Sequence, residues 1–353
     1  MTCLEAFNFI KIEYFFIYNK MDLRLKKLIE EAGLLETAVF NCSLSALSAI
    51  KSGGFCSCFL TVNKRNQLID FLNGFNSLKN IDFKLLVVGH ATNILFNDGC
   101  LNIILLRLGD DFDYIDIKED GTIIAGAATG LQKFIVETAK ECYDFSSFAG
   151  IPGTLGGAVA GNSGSARFGI NSLVRRIKYT AFCQDKACQH EKELATADYS
   201  YRKLDSDGIF IITDVIFDGS SLLDKNSSKN LQGIKPGQKH ACIARKEVFN
   251  KIRENIKMKK QSQPLNTKNA GCFFKNPAES AIAAGKLIDG CGLKGFSYGG
   301  AQISKLHANF IINACNASSK DIYTLSAVAK DIVMQKYGIA LEYEVRLAGF
   351  KNI

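Results

Sequence analysis

The sequence predicts an α+β protein with two small mixed domains and a third domain at the carboxyl-terminal end. Short β-rich runs alternate with helical spacings along the chain. Two glycine-containing turns, GHATN at 89–93 and a longer stretch at 148–164, fall in separate parts of the chain. This favours separate small sheets over one continuous parallel sheet. The predicted divisions are an extension and leading helix at 1–35, mixed domains at 36–110 and 111–220, a polar linker at 221–240 and a third domain at 241–353.

The composition of the 353 residues limits the possible functions. The net charge is +8, but lysine and arginine are scattered and form no basic stripe with aromatic residues, so no nucleic-acid partner is predicted. The mild positive excess suits a small anionic substrate such as a nucleotide. Residues 1–20 carry Glu5, Lys11 and Glu13 around an apolar run, which makes a poor signal peptide and no membrane span.

Twelve cysteines raise the question of disulfides or a metal site. Cys56 and Cys58 are one residue apart, and Cys183 and Cys188 are followed by no second pair at the usual zinc-ligand spacing. We therefore expect free thiols in a reducing cytoplasm and no metal site.

The stretch FAGIPGTLGGAVAGNSG at 148–164 holds six glycines and no charged side chain. Glycine permits positive φ and lets a ligand or another backbone approach closely, and Pro152 restricts Ile151. Bare N–H groups in tight turns suit an anion or a flat ring system. A buried tight turn between crossing elements is the alternative interpretation.

Local patterns predict the elements around these turns. Residues 21–33 form an amphipathic helix ending at Gly33, and residues 60–76 form a strand and then a helix that Gly74 caps. Further strands are predicted at 85–88, 94–96, 102–108, 115–117, 122–125, 177–183 and 209–217. Further helices are predicted at 130–143, 243–260 and 318–337, the last with Ser318 as its N-cap.

Five ordered motifs over about 51–349 carry a resemblance to a known family. They are GIPGTLGGAVAGNSG at 150–164, with Ser163 for an alanine, GHATN at 89–93, GCFFKNP at 271–277, GGAQIS and HANF at 299–310, and LEYEVR at 341–346. A partial match at 51–54 and the pair Tyr201-Arg202 fall in the same order. The chain resembles the UDP-N-acetylenolpyruvoylglucosamine reductase family.

The resemblance implies an FAD-binding PCMH-type fold, in which two small mixed α/β subdomains clasp FAD and a carboxyl-terminal α+β domain binds the substrate. The flavin is expected to be non-covalent, because the glycine-rich stretch holds no histidine or cysteine. The implied FAD-binding residues are Gly53, Gly54, Gly89, His90, Ala91, Thr92, Asn93, Gly150, Ile151, Pro152, Gly153, Gly156, Gly157 and Asn162.

The implied reaction is the reduction of UDP-N-acetylglucosamine enolpyruvate to UDP-N-acetylmuramate for bacterial peptidoglycan. NADPH reduces FAD, a hydride passes to the terminal carbon of the enol ether, and the neighbouring carbon is protonated. The implied catalytic residues are Arg202, Cys272 and Glu344. The implied substrate-binding residues are Tyr201, Lys275, Asn276, Gln302 and His307. A cytoplasmic monomer is expected.

Each implied catalytic residue has suitable chemistry. Arg202 offers a planar, two-pronged donor to a carboxylate. Glu344, if burial keeps it protonated, can donate to a developing enediolate. Cys272 takes the place of the family's serine, and a thiol is a better acid than a hydroxyl. Its donation should fail as pH rises through its pKa, but the sequence does not rank nearby positive charge against burial as influences on that pKa.

Three departures from the family pattern leave alternatives open. His90 and Ala91 replace two glycines, so His90 either donates to a phosphate or faces solvent, and Leu204 replaces a serine. The alternatives are another flavoenzyme on the same scaffold, such as an oxidase of a small alcohol or sugar, and a non-catalytic protein that binds nucleotide sugars. Oxygen consumption without an enolpyruvyl substrate would favour the first, and a colourless protein the second.

Overall fold

The computed structural model describes residues 23–78, 82–164, 168–183, 186–195, 198–204, 210–222 and 239–350. The predicted extension at 1–20 and most of the predicted linker lie outside the described residues. The helices are α1 Leu23–Glu31, α2 Leu44–Leu47, α3 Arg65–Ser77, α4 Leu131–Lys140, α5 Leu155–Ala160, α6 Lys239–Ser262, α7 Ala284–Gly290 and α8 Ser319–Tyr337.

The strands fall in three larger sheets and two strand pairs. The strands are β1 Ala38–Ser43, β2 Phe55–Val62, β3 Lys84–Val87, β4 Ile94–Phe96, β5 Cys100–Leu108, β6 Ile115–Ile117, β7 Thr122–Gly126, β8 Val174–Cys183, β9 Lys186–Glu193, β10 Tyr199–Ser200, β11 Lys203–Leu204, β12 Phe210–Asp218, β13 Asn269–Cys272, β14 Ser297–Tyr298, β15 Ala301–Ile303, β16 Phe310–Asn313 and β17 Arg346–Ala348.

The first sheet is mixed, with order β1-β2-β5-β3: β1 is antiparallel to β2, while β5 is parallel to both β2 and β3. The second sheet, β6-β7-β12-β8-β9, and the third, β13-β16-β15-β14, are antiparallel throughout. Separate mixed and antiparallel sheets confirm the predicted α+β class. The exact domain boundaries stay a prediction.

Helix ends show where local chemistry was sufficient and where it was not. Ser318 is the N-cap of α8, as predicted. Its side chain accepts from the Asp321 N–H, and the Asp321 carboxylate accepts the Ser318 N–H, which forms a capping box. The prediction that Gly74 ends α3 is wrong, since α3 continues to Ser77. A Cβ at Gly74 would lie 2.0 Å from Leu28 Cδ1. The glycine therefore serves the close packing of α1 on α3.

The first two sheets share one hydrophobic core. A single buried cluster runs from Leu60 and Leu106 in the first sheet to Ile123 and Phe217 in the second. The third sheet has a core of its own with α7 and α8. The two mixed lobes are thus joined more closely to each other than to the carboxyl-terminal unit.

A buried ion pair also links the two mixed lobes. Arg65, at the start of α3, donates to both carboxylate oxygens of Asp214 on β12 at 2.9 and 2.6 Å, and Tyr114 and Thr213 donate to the same carboxylate. Burial opposes ionisation of Asp214, but these donors outweigh it and hold its pKa below the usual value. The pair stabilises one arrangement of the lobes.

The carboxyl-terminal unit is joined to the first lobe by strands and by side chains. Strand β17 pairs with β4 in parallel. Asn313 donates to the carbonyls of Ile50 and Lys51, and the carboxylate of Asp98 accepts the first N–H groups of α8 from Ser319 and Lys320. The β4–β17 pairing begins at Ile94 with Arg346, directly after the first glycine turn at 89–93.

Candidate active site

The two predicted glycine turns meet in the structure. A Cβ at Gly89 would lie 2.4 Å from Thr154 Oγ1, so only glycine allows this approach. The hydroxyl of Thr92 points to the carbonyl of Pro152 at 3.4 Å. The two turns, which are far apart in sequence, therefore form one continuous surface.

The turn at 89–93 offers free donors. Within the described residues, its backbone N–H groups donate to no protein acceptor, and Ala91 has φ 48°. A left-handed residue within such a run aims successive N–H groups at a shared point, as in anion-binding nests. Arg107, which sequence reasoning missed, donates to the Gly89 carbonyl at 3.0 Å and holds the turn in place.

His90 lies on the exposed side of this turn. Its ring approaches Gly130 at the start of α4, 3.8 Å from where a Cβ would stand. Partial burial and the charge of Arg107 lower the pKa of His90, so the ring is neutral at neutral pH. A neutral ring still has one N–H for a phosphate oxygen, so this role stays a prediction.

The glycine-rich stretch has two distinct parts. Gly150 and Gly153 have φ 81° and 122°, and the nearest atom to a Cβ at Gly153 would be Thr92 Oγ1 at 3.2 Å. Gly156 instead packs α5 against the lobe, since its Cβ would lie 2.7 Å from that of Ala127. Gly157 donates to Thr154 Oγ1, the N-cap of α5. Gly150 and Gly153 thus border the turn at 89–93, whereas Gly156 and Gly157 hold the stretch against the second lobe.

Lys259 on α6 lies against this stretch and was not predicted. Its Nζ donates to the carbonyl of Ala149 at 2.6 Å, and its side chain covers Gly150. Burial lowers its pKa to about 8. No sequence signal separates Lys259 from the other lysines of this basic helix.

Contacts within the protein account for the residue type at three of the predicted cofactor positions. A Cβ at Gly53 would lie 3.0 Å from that of Leu44, and one at Gly54 would lie 1.8 Å from the carbonyl oxygen of Gly99. Both side-chain ends of Asn162 are engaged within the protein. Any direct contact of these three residues with a cofactor stays a prediction.

Arg202 occupies a two-residue turn. Ser200 pairs with Lys203, so Tyr201 and Arg202 form the loop between β10 and β11. Arg202 has φ 63°, a conformation that favours glycine or asparagine. Its guanidinium carbon stands 5.2 Å from the ring centre of Tyr201, close enough for a cation–π contact.

The turn directs Arg202 at Glu344. The Nε atom of Arg202 lies 2.9 Å from Oε1 of Glu344, and both side chains are largely buried. The Nε–H is not aligned for a hydrogen bond to any described residue. Burial raises the pKa of Glu344, and the opposing charge of Arg202 does not fully offset it.

Cys272 completes the group of predicted catalytic residues. Its neighbour Phe273 accepts the backbone N–H of Glu344 at 2.9 Å, which holds β13 beside the segment before β17. Burial, and then the charge of Glu344, raise the pKa of the Cys272 thiol to about 12, against the lowering effects of Arg202 and Asn309. Burial therefore outweighs the influences that lower the pKa of Cys272.

Asn309 supports this arrangement and was also not predicted. Its side chain accepts from the Phe274 N–H at 3.0 Å and donates to the Phe274 carbonyl at 2.8 Å. Its position in the HANF motif was a signal that sequence reasoning passed over. The turn at 89–93 reaches the same segment, since Asn93 Nδ2 donates to the carbonyl of Glu344 at 3.2 Å.

The remaining predicted substrate residues lie in the third unit. Lys275 forms an exposed ion pair with Glu342, and Asn276 accepts the Ala284 N–H at the start of α7. Gln302 donates to Gly295, and His307 accepts the Asn309 N–H. Among the described residues, no hydrogen bond joins these four side chains to Arg202. Their roles in binding stay predictions.

Comparison with known proteins identifies the family. A model of the UDP-N-acetylenolpyruvoylglucosamine reductase carboxyl-terminal domain matches residues 263–348, and a model of an FAD-binding domain matches 57–179. The UDP-N-acetylenolpyruvoylglucosamine reductase of Wolbachia sp. subsp. Brugia malayi is 32% identical over 274 residues, which span 77% of this chain and 84% of the relative. The chain belongs to the UDP-N-acetylenolpyruvoylglucosamine reductase family. A second member, from Wolbachia pipientis subsp. Culex pipiens, is 30% identical over 88% of this chain and 95% of its own length.

A solved member of the family has the same fold. The crystal structure of UDP-N-acetylenolpyruvylglucosamine reductase from Thermus caldophilus superimposes with a TM-score of 0.66 at 26% identity, covering 88% of this chain and 98% of that one. The predicted FAD-binding fold with a carboxyl-terminal substrate domain is therefore confirmed. In the described parts of the chain, no helix has the length and apolar character needed to cross a membrane.

The residues of the two turns fit FAD, the cofactor that the family implies. The free N–H groups at 89–93 suit a pyrophosphate, and the bare backbone of Gly153 leaves space beside them. Asn93 connects this turn to Glu344 through the bond from its Nδ2 to the Glu344 carbonyl.

Proposed function

We propose that this protein reduces UDP-N-acetylglucosamine enolpyruvate to UDP-N-acetylmuramate in peptidoglycan precursor synthesis, with non-covalent FAD and with NADPH as reductant. The observation that carries the proposal is the convergence of Arg202, Glu344 and Cys272 from three separate segments beside the two glycine turns. Family membership indicates the substrate, and the geometry supports a task for each of the three residues.

Arg202 is suited to the carboxylate of the enolpyruvyl group. Its guanidinium can present two parallel donors, and its Nε–H lacks an aligned acceptor among the described residues. When bound, the reduced flavin supplies a hydride to the terminal carbon of the enol ether. Negative charge then moves into the substrate carboxylate, where the fixed guanidinium stabilises it in a dry site.

Glu344 acts as a hydrogen-bond donor once the substrate is bound. An arriving carboxylate competes with Glu344 for Arg202, whose charge is the main influence opposing burial. Withdrawal of that charge raises the pKa of Glu344 further, which favours the protonated carboxyl group. It then donates to the developing enediolate instead of repelling it.

Cys272 supplies the proton to carbon. The thiol S–H bond breaks as a C–H bond forms at the carbon beside the carboxylate, and the enediolate electron pair makes that bond. The thiolate left behind regains a proton from solvent. A thiol whose pKa is about 12 remains protonated at neutral pH and is ready to donate.

Several finer features belong to the same proposal. We place the activity in the cytoplasm, because the described cysteines are free thiols, as is usual in a reducing compartment. The protein acts as a monomer without a nucleic-acid partner. Residues 36–110 and 111–220 hold the cofactor, and residues 241–353 cover the substrate.

The test is a spectrum followed by two half-reactions without air. Purified protein should show flavin absorbance, NADPH should bleach it, and the enolpyruvyl substrate should restore it. Flavin that stays on the protein after acid precipitation would contradict non-covalent binding. Bleached protein that only oxygen reoxidises would indicate an oxidase of the same scaffold, and a protein that cannot be loaded with FAD would indicate a non-catalytic binding protein.

A further inference from the structure

We propose that Asn162 is a positioning residue for Arg202: its side-chain amide fixes the turn that holds the guanidinium at Glu344. This inference rests on the proposed function, since it assigns Arg202 its task. It also gives Asn162 a role other than direct contact with the cofactor.

The turn needs an external constraint. The β10–β11 ladder has only two residue pairs, Tyr199 with Leu204 and Ser200 with Lys203. Arg202 must nevertheless keep φ at 63°, where a side chain is strained. Such a conformation persists only where surrounding contacts enforce it.

Asn162 supplies that constraint at the base of the turn. It follows the end of α5, is 9% exposed and has φ 40°. Its Nδ2 donates to the carbonyl of Ser200 at 2.9 Å, and its Oδ1 accepts the backbone N–H of Asn171 at 3.2 Å. A flipped amide would place a donor against a donor and an acceptor against an acceptor, so the two partners fix its orientation.

The surroundings of Asn162 are built around this amide. A Cβ at Gly169 would lie 2.0 Å from Asn162 Oδ1, so a glycine is needed for the approach of that segment. Asn171 is itself held by a bond from its Nδ2 to the carbonyl of Val159 at 3.0 Å. A rigid chain of contacts therefore runs from the glycine-rich stretch to Ser200 and on to Arg202.

Loss of the amide should release the turn without removing the guanidinium. In Asn162→Ala the Ser200 carbonyl loses its donor, and Arg202 can leave the strained conformation. Displacing a positioned charge by about 1 Å can slow a reaction by about 100-fold. The charge of Arg202 also opposes the rise in the pKa of Glu344, with a smaller contribution from Lys275, so its displacement should raise that pKa further.

The experiment compares half-reactions of the FAD-loaded Asn162→Ala protein with those of the parent in anaerobic stopped flow. We expect unchanged bleaching by NADPH, reoxidation by the enolpyruvyl substrate slowed by up to about 100-fold, and a pH profile of reoxidation displaced to higher pH. Asn162→Asp should behave similarly, because aspartate can still accept from Asn171 but cannot donate to Ser200. The control is Asn102→Ala, which removes an exposed amide that donates to Asp82 on another part of the chain and should match the parent.

A double variant separates positioning from general damage. If Asn162 acts through Arg202, Asn162→Ala should slow Arg202→Lys much less than it slows the parent. Additive effects, an unshifted pH profile, or loss of flavin from both Asn162 variants would overturn the inference. A parent protein that the substrate does not reoxidise would instead overturn the proposed function.

Discussion

Arg202 Nε lies 2.9 Å from Oε1 of Glu344, and the two side chains are only 18% and 13% exposed. One residue comes from the turn between β10 and β11, and the other from the segment that precedes β17. The ion pair therefore closes one side of the site between the second lobe and the carboxyl-terminal unit. Under the proposed function, a substrate carboxylate would replace Glu344 as the partner of Arg202.

Arg202→Lys should lower turnover more than it raises the apparent substrate constant. Lysine keeps the charge but loses the planar fork, so stabilisation of the enediolate suffers more than ground-state binding. Steady-state kcat and KM measure this. Arg176→Lys, at an exposed ion pair with Glu191, is the matched control and should leave both constants unchanged. Parent-like kinetics for Arg202→Lys would remove Arg202 from the site.

Glu344→Gln should retain much of the reoxidation rate, because a neutral amide can also donate a hydrogen bond to the enediolate, and should change the pH dependence of that rate. Burial raises the pKa of Glu344, so in the parent the protonated donor is present below that pKa and is lost as pH rises through it. Glutamine has no proton to lose, so this decline should be missing. Stopped-flow reoxidation across pH tests both points, and an identical decline in the variant would assign it to another group.

Cys272→Ala should still allow bleaching by NADPH, while reoxidation slows by about two to four orders of magnitude. Cys272→Ser should retain activity. Because the pKa of the thiol is about 12, loss of its proton should affect the parent only near that pH. The alkaline decline expected from sequence thus lies above the neutral range, and Cys272→Ser should not change the profile below it. Parent-like reoxidation by Cys272→Ala would show that Cys272 only packs.

Gly153→Glu should abolish flavin retention. Gly153 has φ 122°, and its Cβ would lie 3.2 Å from Thr92 Oγ1 at the meeting of the two turns. A carboxylate here would add strain, bulk and negative charge beside the expected pyrophosphate. Absorbance after gel filtration measures retained flavin. The control is Gly121→Ala. Gly121 also has a positive φ but lies in the β6–β7 hairpin, so this variant should retain the flavin.

Asp214→Asn should lower the free energy of unfolding at neutral pH by about 3 kcal/mol, because it removes the buried carboxylate that accepts from Arg65, Tyr114 and Thr213. The pKa of Asp214 is lowered, so the stabilisation is present above the unfolded-state pKa and is lost as pH falls through the folded-state pKa. The difference from the parent should therefore shrink in acid. Urea unfolding at several pH values tests this.

A control separates the buried pair from surface charge. Asp113→Asn breaks an exposed pair with Lys133 and should change the unfolding free energy by at most about 1 kcal/mol. Equal effects for the two variants would mean that the Arg65–Asp214 pair contributes no more than a surface contact.

The sequence alone determined the fold class, the family and the identity of the catalytic candidates, because these depend on local patterns. Glycine turns, strand runs and the capping serine Ser318 are each recognised from a few neighbouring residues. The predicted end of α3 was wrong because the glycine at position 74 is required by a long-range contact, its close approach to Leu28 on another helix, and does not mark a helix end.

Only the tertiary structure decided the surroundings of these candidates. The pKa of Cys272 depends on burial and on two charges from distant segments, Glu344 and Arg202, and no spacing in the sequence encodes their balance. The bond from Asn162 to Ser200 likewise joins two loops that meet only in the folded chain. Desolvation and long-range contacts arise only when the chain packs. The sequence could therefore identify the candidate residues, but it could not predict their pKa values or their mutual positions.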